Sequence, residues 1–135
     1  MKVKHKPFTT IVKYVYVAFL VVTGVLTLYA WLSGVDMTEG ASEKTAIFMR
    51  GVTDSGYIIP WMGMFKIMAG LLIAYPKTSA FGVIAALPYA VNILLYVIFI
   101  AREDYLIIGI SDFLISIYLV YAYFEYYKPM INSKD

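Results

Sequence analysis

The stretch Trp61-Met-Gly-Met-Phe-Lys-Ile-Met-Ala-Gly70 decides how this chain is read, because it sets one lysine, Lys66, inside the apolar run Tyr57–Tyr75. Nineteen residues at 1.5 Å each span roughly the 30 Å hydrocarbon core of a bilayer. A lone ammonium at that depth costs about 2.5–3.5 kcal/mol on insertion scales, so it needs a partner, water or a cavity. Working outward, three more runs have spanning length: Tyr14–Ser33, Ala80–Ala101 and Tyr105–Glu125. None alternates with period two, so strands are excluded and the expected fold class is all-α, an integral membrane four-helix antiparallel bundle. The 135 residues make one domain, with helices about 14–33, 57–75, 80–101 and 105–125 and an outer loop at 34–56.

Composition agrees. Hydrophobic residues make up 61% of the chain and mean hydropathy is +0.76, against about 45–50% apolar usage in soluble domains. A net charge of +2 is too small to point to nucleic acid, which leaves the lipid bilayer as the first partner. With no cysteine and a single histidine, His5, in the basic N-terminal tail, the chain lacks thiol chemistry, paired-histidine haem ligation and a histidine-rich metal site, and no metal-ligating residues are expected. No catalytic constellation is present, and the sequence names no cofactor. The 20-residue run after Lys13 exceeds the 7–15 residues of a signal-peptide core, so it reads as a retained first helix.

Lysine and arginine placement orients the chain. Lys2, Lys4, Lys6, Lys13, Lys77, Lys128 and Lys134 fall on one side and Lys44, Arg50 and Arg102 on the other, which puts both termini in the cytoplasm. Trp31, Tyr57, Trp61 and Tyr105 on the outer side, and Tyr14, Tyr75, Tyr121, Tyr126 and Tyr127 on the inner, form the aromatic belts. The expected location is a bacterial inner membrane, crossed several times. In the long connector, Asp36-Met-Thr-Glu39 has the form of a capping box, and Ala46–Met49 with Val52 has the spacing of a short surface helix, a lid over the bundle or an ordinary solvated loop.

Counted inward from the outer ends, Lys66, Asn92 and Asp112 fall within about 3 Å of one depth, a level that meets the first helix near Gly24 between Thr23 and Thr27. Gly63, Lys66, Gly70 and Ala74 share one stripe, and Gly109, Asp112, Ser116 and Leu119 another. Gly82, Ala85, Tyr89, Asn92, Tyr96 and Phe99 follow a heptad seam. The expectation is a Lys66–Asp112 ion pair with Asn92 nearby, in a polar layer widened by a kink at Pro88. Lys66, Asp112, Asn92, Tyr89, Tyr96 and Thr27 are thus the candidate binding residues. Met62, Met64 and Met68 read as packing, since no nitrogen or thiolate ligand joins them.

From Gly63 to Ile131, about half of the chain, the sequence resembles the DoxX-like family of small bacterial membrane proteins. The segments carrying the resemblance are Lys66-Ile-Met-Ala-Gly-Leu-Leu-Ile73, the connector with Lys77, Leu87-Pro-Tyr-Ala-Val-Asn-Ile-Leu94, and Tyr118-Leu-Val-Tyr-Ala-Tyr123 with Tyr127-Lys-Pro129. The resemblance implies a four-helix membrane bundle, with some relatives associated with quinone-linked sulfur oxidation or membrane redox assemblies. The chain departs from the pattern at Lys66, where many relatives carry an acidic or amide residue, and near Tyr96, where they carry a histidine. The favoured function is an accessory or binding subunit holding a lipid-soluble small molecule, a quinone among the candidates. Two alternatives stand beside it: a small ion- or proton-coupled transporter acting as a homo-oligomer, and a structural subunit docked on a membrane partner.

Overall fold

The computed structural model describes residues 2–132, so Lys134 lies outside the described residues. They form six helices and no strand: α1 Lys6–Ser33, α2 Glu43–Asp54, α3 Ile58–Ala74, α4 Ser79–Phe99, α5 Arg102–Ala122 and α6 Phe124–Ile131. Three of these, α1, α4 and α5, are long and apolar enough to cross a membrane. The fourth expected span is shorter. α3 has 17 residues, about 25 Å, and reaches spanning length only with α2, from which it is bent by 90°. Gly56, at φ 81°, makes that corner, a left-handed conformation in which a Cβ would be strained.

α1 starts eight residues before the apolar run, because Pro7 sits in its first turn, where a missing N–H costs nothing. It ends at Gly34, whose N–H bonds the Ala30 carbonyl at φ 71°. Asp36 does not open a helix as a capping box would. Its Oδ1 accepts the Thr38 N–H at 2.9 Å and hydroxyl at 2.6 Å, closing a turn instead. α5 includes a break at Tyr105 (φ −135°), and the expected helix to Glu125 stops at Ala122, with Tyr123 outside helical geometry. α4 continues through Pro88.

The helices meet in a closed order: α1 packs on α3, α3 on α4, α4 on α5 and α5 on α1. Tyr16, Leu20, Ala69, Ile73, Val83, Ala86, Leu119 and Ala122 fill the middle. The outer faces stay apolar; Leu32, Phe81 and Ile107 are 75%, 63% and 81% exposed, a surface suited to lipid and far too greasy for water. At one end hydroxyls take up loose carbonyls. Thr78 and Ser79 each donate at 2.6 Å, to Leu72 and Ile73, and Tyr127 donates to Ala80 at 2.6 Å. The Lys4 N–H reaches Ala122 at 3.0 Å, while Thr9 and Tyr118 share a hydrogen bond of 2.8 Å. These contacts bring the start of α1, the α3–α4 connector and α6 together.

Candidate functional site

Burial settles which face each helix turns inward. Along α5 the buried residues are Gly109, Asp112, Ser116, Leu119 and Ala122, the stripe expected from spacing. Along α3, Gly63 and Gly70 are buried and lie against α1. A Cβ on Gly24 would stand 2.8 Å from the Gly63 carbonyl oxygen and 3.1 Å from Lys66 Cβ, so Gly24 and Lys66 do share a level. α4 is rotated from the expected heptad seam. Its buried residues are Ser79, Gly82, Val83, Ala86, Ala90 and Val97, which leaves Tyr89 and Tyr96 half-buried and Asn92 exposed. Small side chains four apart let two helices approach closely, and that gain outweighs burying a seam of rings.

The Lys66–Asp112 ion pair is not formed. Lys66 Nζ lies 5.3 Å from the centroid of the Tyr89 ring, in cation–π geometry. Asp112 is 4% exposed and its Oδ1 has no hydrogen-bond partner. The two side chains are within electrostatic range of one another without touching. Asp112 turns to α1 instead, where Tyr16 Oη lies against both its carboxyl and Ser116, and Tyr16 Oη, Asp112 Oδ1 and Ser116 Oγ are all buried in one cluster. Thr27 contributes nothing to this interior, since its hydroxyl donates to the Thr23 carbonyl at 2.7 Å. The polar interior thus draws Tyr16 from α1, Lys66 from α3, Tyr89 from α4, and Asp112 with Ser116 from α5. Spacing could have found Tyr16: Thr9, Lys13, Tyr16, Leu20 and Gly24 recur every three or four residues and are the buried stripe of α1.

Asn92 opens onto a separate space. Between α3 and α4 lies a groove of about 800 Å³ whose walls include Trp61, Met62, Phe65, Pro88, Tyr89 and Asn92. A second space of about 530 Å³ runs beneath α2, against Phe48, Val52 and Tyr96. Ile58, Met62, Asn92 and Leu95 line both, making one continuous apolar channel with an amide in the middle.

α2 is tied over this channel at its N-terminus. Asp104 Oδ2 accepts from Ser42 Oγ at 2.9 Å, Thr45 Oγ1 at 2.8 Å and the Ser42 N–H at 3.3 Å. Phe48 then rests on Tyr96, their ring centroids 5.1 Å apart. Asp104→Ala is expected to loosen α2 by the worth of a lost cap, about 1 kcal/mol. Amide hydrogen exchange across 43–54 should rise by roughly fivefold to tenfold, with α4 unchanged; exchange in α2 equal to the parent would show that another contact holds the lid.

Fold and site together define an all-helical protein with an apolar exterior, helices long enough to cross a bilayer, and polar groups from four helices gathered inside. No family model matches the chain, and no curated protein or solved structure matches it either.

Proposed function

We propose that the chain is a multi-pass membrane protein of the DoxX-like type, a binding or accessory subunit that holds an uncharged, lipid-soluble small molecule in the α3–α4 groove beneath α2. In this reading α1, α3, α4 and α5 cross a bacterial inner membrane as a four-helix bundle with both termini in the cytoplasm. The described lysines Lys2, Lys4, Lys6, Lys13, Lys77 and Lys128 all belong to the segments gathered at one end, and Lys44, Arg50 and Arg102 to the other, in support of that orientation.

The observation that carries the ligand reading is Asn92. Its amide stands two-thirds of the way along a spanning helix, exposed, with no hydrogen bond to any described residue. Leaving an amide unpaired in hydrocarbon costs about 4–8 kcal/mol on a cyclohexane scale. A ligand carbonyl in the groove would accept from it, and a volume of about 800 Å³ with aromatic walls falls among ordinary small-molecule sites. No charged side chain lines the groove, so the ligand is neutral; a quinone has the required carbonyl and apolar body.

Trp61 in the wall makes binding measurable. A short-chain benzoquinone titrated into the purified protein should quench Trp61 fluorescence saturably. Asn92→Leu should weaken that binding by about tenfold, the worth of a desolvated hydrogen bond. Equal affinity in the parent and Asn92→Leu would remove the proposal, with Trp61→Phe identifying the reporting residue.

A further inference from the structure

Where α1 runs beside α5, the seam between them has a charged end and an apolar continuation. Phe8, Val12, Val15 and Phe19 form one stripe of α1 by helical spacing. Tyr121, Tyr118, Ile115 and Ile108 form the facing stripe of α5. The stripes meet edge to face at Phe8 and Tyr118, whose ring centroids are 5.4 Å apart. They meet again around an apolar crevice of about 210 Å³ whose walls include Val15, Phe19, Ile108 and Ile115. Val15 lies about 10 Å beyond Phe8 along the helix.

The charged end is tied down by main-chain hydrogen bonds. The Lys4 N–H donates to the Ala122 carbonyl at 3.0 Å, the Lys2 N–H donates to Glu125 Oε2 at 3.0 Å, and the Thr9 hydroxyl donates to the Lys4 carbonyl at 2.6 Å. Lys4 Nζ then stands 4.3 Å from the centroid of Tyr121, and Lys128 Nζ stands 5.9 Å from that of Phe124. Both are close enough for Glu125 to sense their charge. Among the described residues Glu125 is the only acid at this end, against Lys2, Lys4 and Lys128. A ring takes one side of an ammonium and leaves its other N–H groups for an anion.

From this order of cations, rings and crevice we infer a binding site for an anionic phospholipid, its phosphodiester on Lys4 and Lys128 and one acyl chain running past Phe8 and Val15 into the α1–α5 crevice. The site rests on the membrane orientation proposed above and shares no residue with the α3–α4 groove. Charge selects the headgroup, because lysines beside a membrane attract the anionic lipids of the cytoplasmic leaflet. A zwitterionic headgroup sets its own cation against the lysines and gains less. Depth selects a lipid over a soluble phosphate, which has nothing to place in an apolar space about 10 Å below the cations. Phe8, Val15 and Ile108 are 58%, 57% and 53% exposed, so the chain enters sideways from the bilayer. At roughly 30 Å³ for each water-sized group, the crevice takes a stretch of about seven carbons.

The test titrates the full chain in detergent micelles with phosphatidylglycerol or with phosphatidylcholine of the same acyl chains, and counts bound lipid by native mass spectrometry. The expected result is one phosphatidylglycerol per chain, preferred about tenfold or more over phosphatidylcholine. Lys4→Gln and Lys128→Gln should each weaken it about fivefold, and Val15→Trp, which fills the mouth of the crevice, should weaken it by a similar factor. Lys77→Gln, at the same end but on the α3–α4 connector, should bind like the parent, and glycerol 1-phosphate should not displace the lipid. Equal binding of the two lipids, an equal loss in Lys77→Gln and Lys4→Gln, or displacement by glycerol 1-phosphate would each overturn the assignment. Trp61 quenching by the benzoquinone, read on the same samples, keeps the two sites apart: lost lipid selectivity with intact quenching counts against the seam alone.

Discussion

Gly24→Leu is expected to force α1 and α3 apart and to cost the protein more than about 3 kcal/mol, beyond the 1–3 usual for an overpacked core. The reason is that backbone meets backbone there. A Cβ on Gly24 would stand 2.8 Å from the Gly63 carbonyl oxygen and 2.9 Å from Ile67 Cγ1, and a carbonyl within a helix cannot step aside. Gly63 offers an internal comparison. Its added Cβ would meet Leu28 Cγ at 2.8 Å and the Gly24 carbonyl oxygen at 3.1 Å, so a flexible side chain is the tighter obstacle. Gly63→Ala should therefore cost less than Gly24→Leu, and Leu28→Ala should relieve part of its penalty. Unfolding in mixed micelles, followed by circular dichroism, measures the three single variants and the Gly63→Ala/Leu28→Ala double against the parent. A Gly24→Leu protein as stable as the parent would rule out the close crossing.

The second large effect concerns Lys66 and Asp112. Each sits in a low-dielectric interior within range of the other's charge, but no direct bond joins them. Lys66→Met alone leaves the carboxyl without a compensating charge, and Asp112→Leu alone leaves the ammonium without one. Each should destabilise by about 1–3 kcal/mol, below the 3–5 found when a fully buried, directly bonded pair is broken. Together they exchange two costly groups for packed apolar ones, and the double variant should equal or exceed the parent in stability. The cycle then returns a coupling of about 2–6 kcal/mol, the sum of the two single losses. Additive single effects would show that the two side chains do not sense one another.

Channel and interior cluster answer to different parts of the fold. α4 divides them, with Tyr89 the element common to both: its ring forms part of the groove wall and also carries Lys66 on its face. Asp104 holds α2 over the outer part of the channel from the first turn of α5, so the lid and the Asp112 cluster hang on the same helix.

Much of the architecture was legible in the residues alone. The apolar runs, the short connectors at Pro76–Thr78 and near Arg102, the Gly24 level and the inward stripes of α3 and α5 are all local: they follow from length, from small residues at helical spacing and from one charged group marking a face. Tertiary structure alone decided the rotation of α4, the turn of Asp112 towards Tyr16 and Ser116, the placing of Lys66 over Tyr89, and the docking of α2 on Asp104. In α4 nearly every side chain is apolar, so no amphipathic contrast marks an inner face, and only the close approach of Gly82, Ala86 and Ala90 to neighbouring helices selects one. An ion pair read from equal depth needs the two side chains to point at each other as well, and that direction belongs to the packing of whole helices rather than to the spacing within any one of them.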